Sequence, residues 1–450
     1  MAGRSQSTAP TVREGIAFRY IADFRCIGAA CEDTCCGGWR IGVDREHFVQ
    51  LERAMVRRSP AEAARFRDNH LPVLDGGEEM HAELRQDGAG RCGFLDDGLC
   101  SIHRDYGEPL LSNTCAVFPR TVTRVGGRIE LTGTAACPEV ARRMLLSEDA
   151  MELVDHDPRT LPRLHATRQL DPDPARPWER YYDDVRQAAL ALLGRTDYPL
   201  DTRLFALAFL ANEVSPFFRR DSATEAAVVD RLADAIERYT STAMLDELHG
   251  RMSALRVPAA VGMMLVDELL AARLEHARAG SVFGDLVARV ADGYRAEAED
   301  AAPEARGARV LQLYEMRRQP WRAHFAARLD RVVANYAMNH WLTSPYTESA
   351  DLALYVQELA VRIAVLRFLL LSHPDLAAAW RAVAAESLVS DAPSGGTVAL
   401  ERTLDRVVVE VFYKFARAID HSPAFLAEIA RGIAAAGVQP FALTVMLLKF

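Results

Sequence analysis

Eight cysteines carry most of the reactive chemistry of this 450-residue chain, and all lie in its first third: Cys26, Cys31, Cys35, Cys36, Cys92, Cys100, Cys115 and Cys137. They read Cys26-x4-Cys31-x3-Cys35-Cys36, then Cys92-x7-Cys100, then two single residues. Thiols gathered this way pair as disulfides, bind a metal or hold an iron–sulfur cluster. The first fifteen residues are polar, without the apolar stretch of a secretion signal. No apolar run approaches the 18 or so residues needed to cross a bilayer. The expected setting is therefore cytoplasmic, with no membrane insertion, and disulfides are rare there. A metal or cluster is the expected use of these thiols, and all eight are candidate ligands.

Structural zinc sites usually pair one Cys-x2–4-Cys knuckle with another. Only Cys31-x3-Cys35 has that spacing, whereas cluster thiolates come from separate loops across irregular gaps. The gaps favour iron–sulfur, with zinc as the alternative. The Cys-x3-Cys-x2-Cys pattern of radical enzymes that cleave S-adenosylmethionine is absent, because Cys36 directly follows Cys35. Neighbouring side chains of an extended segment point to opposite faces. Cys35 and Cys36 are thus expected to serve two different sites, or to divide into a ligand and a packed thiol. Eight thiols suffice for two four-thiolate sites.

The elements that must position these residues read as a mainly α fold. Residues 16–150 form a loop-rich, metal-organised unit with a small β-hairpin. A linker spans 151–177, where 154–177 holds five prolines and no apolar period. Residues 178–450 form an all-α domain. Apolar spacing at Phe48, Leu51 and Met55 predicts a helix over 44–56 with Asp44 as its N-cap. Alternation over 121–132 around Gly126-Gly127 predicts a hairpin with a two-residue turn. Pro138 opens a helix that places Cys137 at its N-terminus, where the dipole favours a thiolate. Helical spacing marks 181–193, 201–213, 223–245, 259–278, 310–317, 321–341, 351–372, 400–419, 424–435 and 441–448.

Several other residues invite chemistry. His103 beside Cys100 is a possible ligand or proton shuttle, although a loop histidine is more often structural. Trp39 is expected to pack on the cysteine region and exclude water. Asn335, Tyr336, Asn339 and His340 form a polar group within an apolar helical pattern. They either line a cofactor pocket at the domain junction or, the weightier reading, make helix-to-helix hydrogen bonds. Arg417 and His421, four residues apart, carry the same two readings.

The chain has no Gly-rich loop after a strand, no Walker loop, no G-x-S-x-G elbow and no H-E-x-x-H helix. Net charge is −9 with no basic stripe, so nucleic acid is not an expected partner. Two lysines stand against 51 arginines. A G+C-rich genome explains that bias simply.

The segments CIGAACEDTCCGGWRIGVD (26–44), CGFLDDGLCSIHRDYG (92–107), NTCAVFPR (113–120) and LTGTAACPEVARRMLL (131–146) resemble the flagellin lysine-N-methylase family. Its amino-terminal region is related to small Cys-rich zinc- or iron-chelating domains. LDRVVANYAMNHWLTSPY (329–346) and FARAIDHSPAFLAEI (415–429) are similar to its carboxy-terminal segments. The resemblance implies a 4Fe-4S cluster, S-adenosylmethionine as methyl donor, and surface lysines of flagellin as acceptors. It singles out no catalytic residue. The rival expectations are a zinc- or iron-stapled binding module without chemistry, and a methylase of some other protein.

Overall fold

The computed structural model describes residues 15–164, 168–173, 175–217, 226–275, 281–387, 395–420 and 439–450. Helices dominate, as expected. Among the described residues, ten short strands occur in the first part of the chain: β1 (Gly15–Phe18), β2 (Gly42–Val43), β3 (His70–Pro72), β4 (Ala82–Leu84), β5 (Leu95–Asp96), β6 (Leu99–Cys100), β7 (Arg120–Val125), β8 (Arg128–Gly133), β9 (Leu153–Asp155) and β10 (Arg168–Leu170). They form sheets in the orders β10-β7-β8-β1-β9, β2-β4-β3 and β5-β6.

The expected hairpin is β7–β8, turned at Gly126, whose φ of 55° suits a two-residue hairpin loop. It is the middle of a larger sheet. β1 lies parallel to β8, β9 antiparallel to β1, and β10 parallel to β7. The stretch read as a linker thus supplies both edge strands. Three-residue strands are too short for alternation to reveal them, and edge positions tolerate the prolines around them.

Asp44 caps the helix Arg45–Arg58, accepting from the His47 N–H at 3.0 Å. A second helix that spacing did not suggest, Pro60–Asn69, follows directly, with Ser59 as cap and proline at its start. In the helical part, the single helix expected over 223–245 is two, Ala226–Thr240 and Thr242–Ala254, because Ser241 caps the second. Val282–Glu297 and Pro374–Ser387 are further helices that the spacing did not mark. The helix expected over 321–341 begins with a π-helical turn, Trp321–Phe325, before Ala326–Thr343. Asp351 caps Leu352–Leu371, and Gly395–Phe415 runs into a second π-turn, Ala416–Asp420. The helix expected over 424–435, and His421, lie outside the described residues.

Two buried clusters follow from this arrangement. A small one is built by residues 41 to 116, including Ile41, Leu51, Met55, Phe66, Phe94 and Ile102. The large one joins the five-stranded sheet and the Pro138–Leu146 helix to the helical part, from Ala17 and Phe18 through Val140 and Met144 to Leu366 and Phe412. The five-stranded sheet and the helical region therefore share one core, while the Cys92–Cys115 segment packs around its own. No helix among the described residues is long and apolar enough to cross a membrane.

Candidate functional site

Local backbone geometry brings the cysteines together. The Cys92 N–H donates to the Cys36 carbonyl at 2.7 Å, and Gly37 bridges to Arg91, so the second cysteine motif lies along the first. Gly93 fits closely under Asn69: an added Cβ would come within 1.6 Å of its Oδ1. The gap between Cys92 and Cys100 contains the β5–β6 hairpin, turned at Asp97 and Gly98 with φ of 49° and 78°. Positive φ at both turn residues is what an Asp-Gly pair supplies. Cys115 sits in the short helix Asn113–Val117, capped by Ser112. The same Asp44 that caps the first helix accepts from the Asn113 N–H at 2.9 Å, which fixes this segment against it.

Five thiols share one locale. Cys36 hydrogen-bonds to Cys100 and to Cys35, and keeps its own proton well into the alkaline range. The hydrogen bond from Cys36 lowers Cys35 to about 7 and Cys100 to about 6, the latter helped by the Ile102 and His103 amides. Burial instead raises Cys92 to about 11 and Cys115 to about 12, and both feel charge on Cys35 and Cys100. The adjacent pair was expected to diverge. Its thiols meet because residues 31–36 bend rather than extend.

Cys26, Cys31 and Cys137 form a second group. Charge on Cys26 acts on Cys31, and charge on Cys31 and Cys35 acts on Cys137. Cys137 stands at the head of the helix Pro138–Leu146 with the Val140 and Glu139 amides towards its sulfur, as expected. The expectation that this favours the thiolate does not hold: burial outweighs the amides and raises the thiol to about 11. Cys35 is the residue electrostatically common to both groups. The Arg120 guanidinium, half-buried, lies within reach of Cys26 and Cys137.

A cation from the helical region closes this assembly. Arg417, in the second π-turn, donates to Asp33 Oδ2 at 2.8 Å, the Thr34 carbonyl at 3.0 Å and the Ala136 carbonyl at 3.0 Å. Its guanidinium lies over the Tyr413 ring, 5.2 Å from the centroid. Arg417 thus touches both the loop before Cys35 and the turn before Cys137. The sequence marked Arg417 as noteworthy; its partner Asp33 and the role of Arg120 were not foreseen.

Among the remaining candidates, Trp39, Asn335, Tyr336, Asn339 and His340 make structural contacts. Trp39 is half-buried, donates to the Cys35 carbonyl at 3.1 Å and stacks on Phe118, so it covers the cysteine region as expected. His103 is exposed on the helix after Cys100. Asn335 donates to the Met144 carbonyl and Asn339 to the Gly133 carbonyl, while the Tyr20 hydroxyl bonds Asn339. These contacts tie helix 326–343 to the sheet and the helix after it. Tyr336 donates to Asp420 at 2.8 Å, with Arg362 on the same oxygen. Burial holds the His340 imidazole neutral between Tyr336 and Tyr355.

Sulfur donors of this kind suit zinc or an iron–sulfur cluster. Among the described residues, no three His, Cys, Asp or Glu side chains are set around a point to hold one metal ion. The ligands of a cluster attach to separate irons and need not surround a single point.

Residues 186–447, more than half of the chain, match the FliB lysine N-methylase C-terminal domain. The chain belongs to the FliB lysine N-methylase family. It is 25% identical over 236 residues to a lysine-N-methylase of Salmonella choleraesuis (strain SC-B67), covering 51% of this chain and 54% of that one. The lysine-N-methylase of Salmonella typhimurium (strain LT2) is 25% identical over 239 residues with the same shares. The flagellar biosynthetic protein FliU of Salmonella muenchen is 32% identical over 139 residues, 30% of this chain and 78% of that protein. The chain spans about half the length of the two lysine-N-methylases that it matches. No solved structure matches it. The family's C-terminal domain covers the helices that carry Asn335, Asn339 and Arg417, the residues that grip the cysteine-bearing part.

Proposed function

We propose that this chain is a protein lysine N-methyltransferase that moves a methyl group from S-adenosylmethionine to lysine ε-amines of flagellin, with a 4Fe-4S cluster held by its cysteines. The observation that carries the reading is the family match across residues 186–447. The names of the relatives, lysine-N-methylase and flagellar biosynthetic protein, support the acceptor class and the flagellar substrate. The all-thiol donor set suits the cluster and a four-thiolate zinc site alike, and the irregular gaps between the cysteines favour the cluster.

On this reading Cys36, Cys92, Cys100 and Cys115, with Cys35 shared, would hold the cluster, and it would supply a charged, polarisable centre. The chain's own residues do the rest. Arg417 and the two asparagines keep the thiol loops registered on the helical region. The acceptor lysine must lose a proton before attack, because an ammonium group has no lone pair.

The test is methyl transfer from labelled S-adenosylmethionine to purified flagellin, beside iron and sulfide analysis of protein prepared without oxygen. Labelled flagellin with iron and sulfide in the enzyme is expected. Flagellin that binds but stays unlabelled would point to the non-catalytic binding module. Stoichiometric zinc without sulfide would replace the cluster with the alternative metal.

A further inference from the structure

Arg120 is a cation on a rigid element beside the thiols, and no acid answers it. It opens β7 opposite Gly133 on β8. The Thr134 N–H donates to the Pro119 carbonyl at 2.9 Å, so the start of the strand is fixed to the turn that leads to Cys137. On its other side the guanidinium lies over the Phe24 ring, 5.2 Å from the centroid. Phe24 is buried, and Cys26, two residues further on, is exposed. The half-buried guanidinium thus has an apolar floor, with the Cys26 loop and the Cys137 turn beside it.

Buried arginines elsewhere are answered by carboxylates: Arg186 by Glu130, Arg317 by Glu297, Arg362 by Asp420 and Arg367 by Asp201. Around the thiols, Arg417 is taken up by Asp33 and two carbonyls, and Arg142 by Glu32 and Glu139. Among the described residues the Arg120 side chain has no hydrogen bond and no ion pair. Cys26 and Cys137 are the groups whose charge bears on it, and no carboxylate is among them. A ring face offsets only part of the cost of taking a guanidinium out of water. A carboxylate, which the planar fork of arginine binds through two parallel hydrogen bonds, is the complement it lacks.

We propose that Arg120 binds the methyl donor, taking the α-carboxylate of S-adenosylmethionine beside Cys26 and Cys137; this rests on the reading of the chain as a lysine methyltransferase. The ligand set Cys36, Cys92, Cys100 and Cys115, with Cys35 shared, leaves this flank of the cysteine region for the donor. The contact is non-covalent: Arg120 orients and selects the donor, and neither gives nor takes a proton. Its place on a paired strand, rather than on a loop, holds the fork in one position.

The experiment titrates the full chain, prepared without oxygen, by calorimetry with two ligands. One is S-adenosylhomocysteine; the other is its decarboxylated analogue, in which hydrogen replaces the α-carboxylate. Circular dichroism and iron content are measured on every variant. Wild type should bind S-adenosylhomocysteine about ten-fold or more tighter than the analogue. Arg120→Met, which keeps the stem on Phe24, should lose about that factor for S-adenosylhomocysteine and stay within about two-fold for the analogue. Arg120→Gln, which keeps a donor without the charge, should show the same selective loss and decides the matter if the methionine variant does not fold. Equal binding of the two ligands by wild type, or an equal loss of both in a folded variant, would overturn the assignment while methylation of flagellin left the methyltransferase reading standing. Iron lost from the variants would make Arg120 a counter-ion of the metal centre, and overturn it too. So would affinity that the substitutions leave unchanged but removal of iron abolishes, because the carboxylate would then lie on the metal. Wild-type protein that neither binds S-adenosylhomocysteine nor methylates flagellin would overturn that reading and the donor site with it.

Discussion

Arg417 and Asp33, 384 positions apart in the chain, form a 2.8 Å ion pair with the arginine 8% exposed and the aspartate 20% exposed. It is the direct charge contact between the helical region and the loop that carries Cys31 and Cys35. The other two Arg417 bonds end on backbone carbonyls, so the guanidinium sets the path of that loop as well as its charge.

Replacing Arg417 by glutamine should free the loop. A largely buried pair broken on one side costs roughly 2–4 kcal/mol, part of it the orphaned Asp33. Chemical denaturation measures the loss, and timed alkylation read by mass spectrometry measures loop opening. Cys31 and Cys35 should label faster in the variant. Equal labelling rates would show that Arg417 does not hold the loop.

Asp44 joins two segments through one carboxylate: it caps Arg45–Arg58 and accepts from Asn113, two residues before Cys115. Burial pushes its carboxyl up, but the Asn113 and His47 amides and the His47 ring more than offset this and hold it below the ordinary range. A folded pKa below the unfolded one gives stability that is present above about pH 4 and lost as pH falls. Asp44→Ala should therefore cost roughly 2 kcal/mol at pH 7, and less at pH 3. Urea melts of both proteins at the two pH values decide it; a penalty independent of pH would contradict the assignment.

Two buried histidines should set the acid limit of the fold. Burial lowers His70, packed among Phe48, Phe66 and Phe94, to about 4, and lowers His373, beside Arg289 and Glu410, to about 4. Each folded pKa lies below the unfolded value near 6.5, so the unfolded chain binds more protons between those values. Stability is then full above about pH 6.5 and falls towards pH 4, by up to roughly 3 kcal/mol per histidine. Denaturation free energies from pH 7 to 4.5 should show this slope, and His70→Asn should reduce it. A flat profile would mean the rings are not held neutral by the fold.

Much of the helical region was legible because long apolar periods survive as helices: Asp351 and the run to Leu371 matched the expected span closely. The short elements were not. Strands β9 and β10 are three residues each and gain their pairing from β1 and β7, which lie far away in sequence. The π-turn at Trp321 leaves the hydrophobic spacing almost unchanged, so periodicity passes over it. At the site, the crowding of cysteines was plain, but their grouping was not. Cys36 meets Cys35 and Cys100 because of a bent loop and a tight hairpin. The Asp97-Gly98 pair between Cys92 and Cys100 was the available signal for that hairpin. Asp33 is an ordinary acidic residue until Arg417 arrives from the far end of the chain, and no local pattern announces such a pair.

Glu130 and Arg186 provide the sharpest test of how sheet and helices are joined. Arg186, on the helix Tyr182–Leu193, donates to both oxygens of Glu130 on β8, at 2.6 and 2.8 Å. Arg128 adds a second cation at 2.6 Å, and Asp183 shares Arg186 at 2.7 Å. Glu130 is 2% exposed and Arg186 4%, so neither can turn to water if its partner is removed. Glu130→Gln keeps the shape but removes the charge, leaving Arg186 with Asp183 alone. It should cost roughly 3 kcal/mol or more, and Arg186→Met a similar amount. The pair itself need not contribute that much, since both ions are desolvated to make it. The double variant Glu130→Leu with Arg186→Met should accordingly be less destabilised than the sum of the two corresponding single variants, by about 1–3 kcal/mol. Additive losses in that cycle would mean the two side chains act independently, and that this pair does not join the sheet to the helix Tyr182–Leu193.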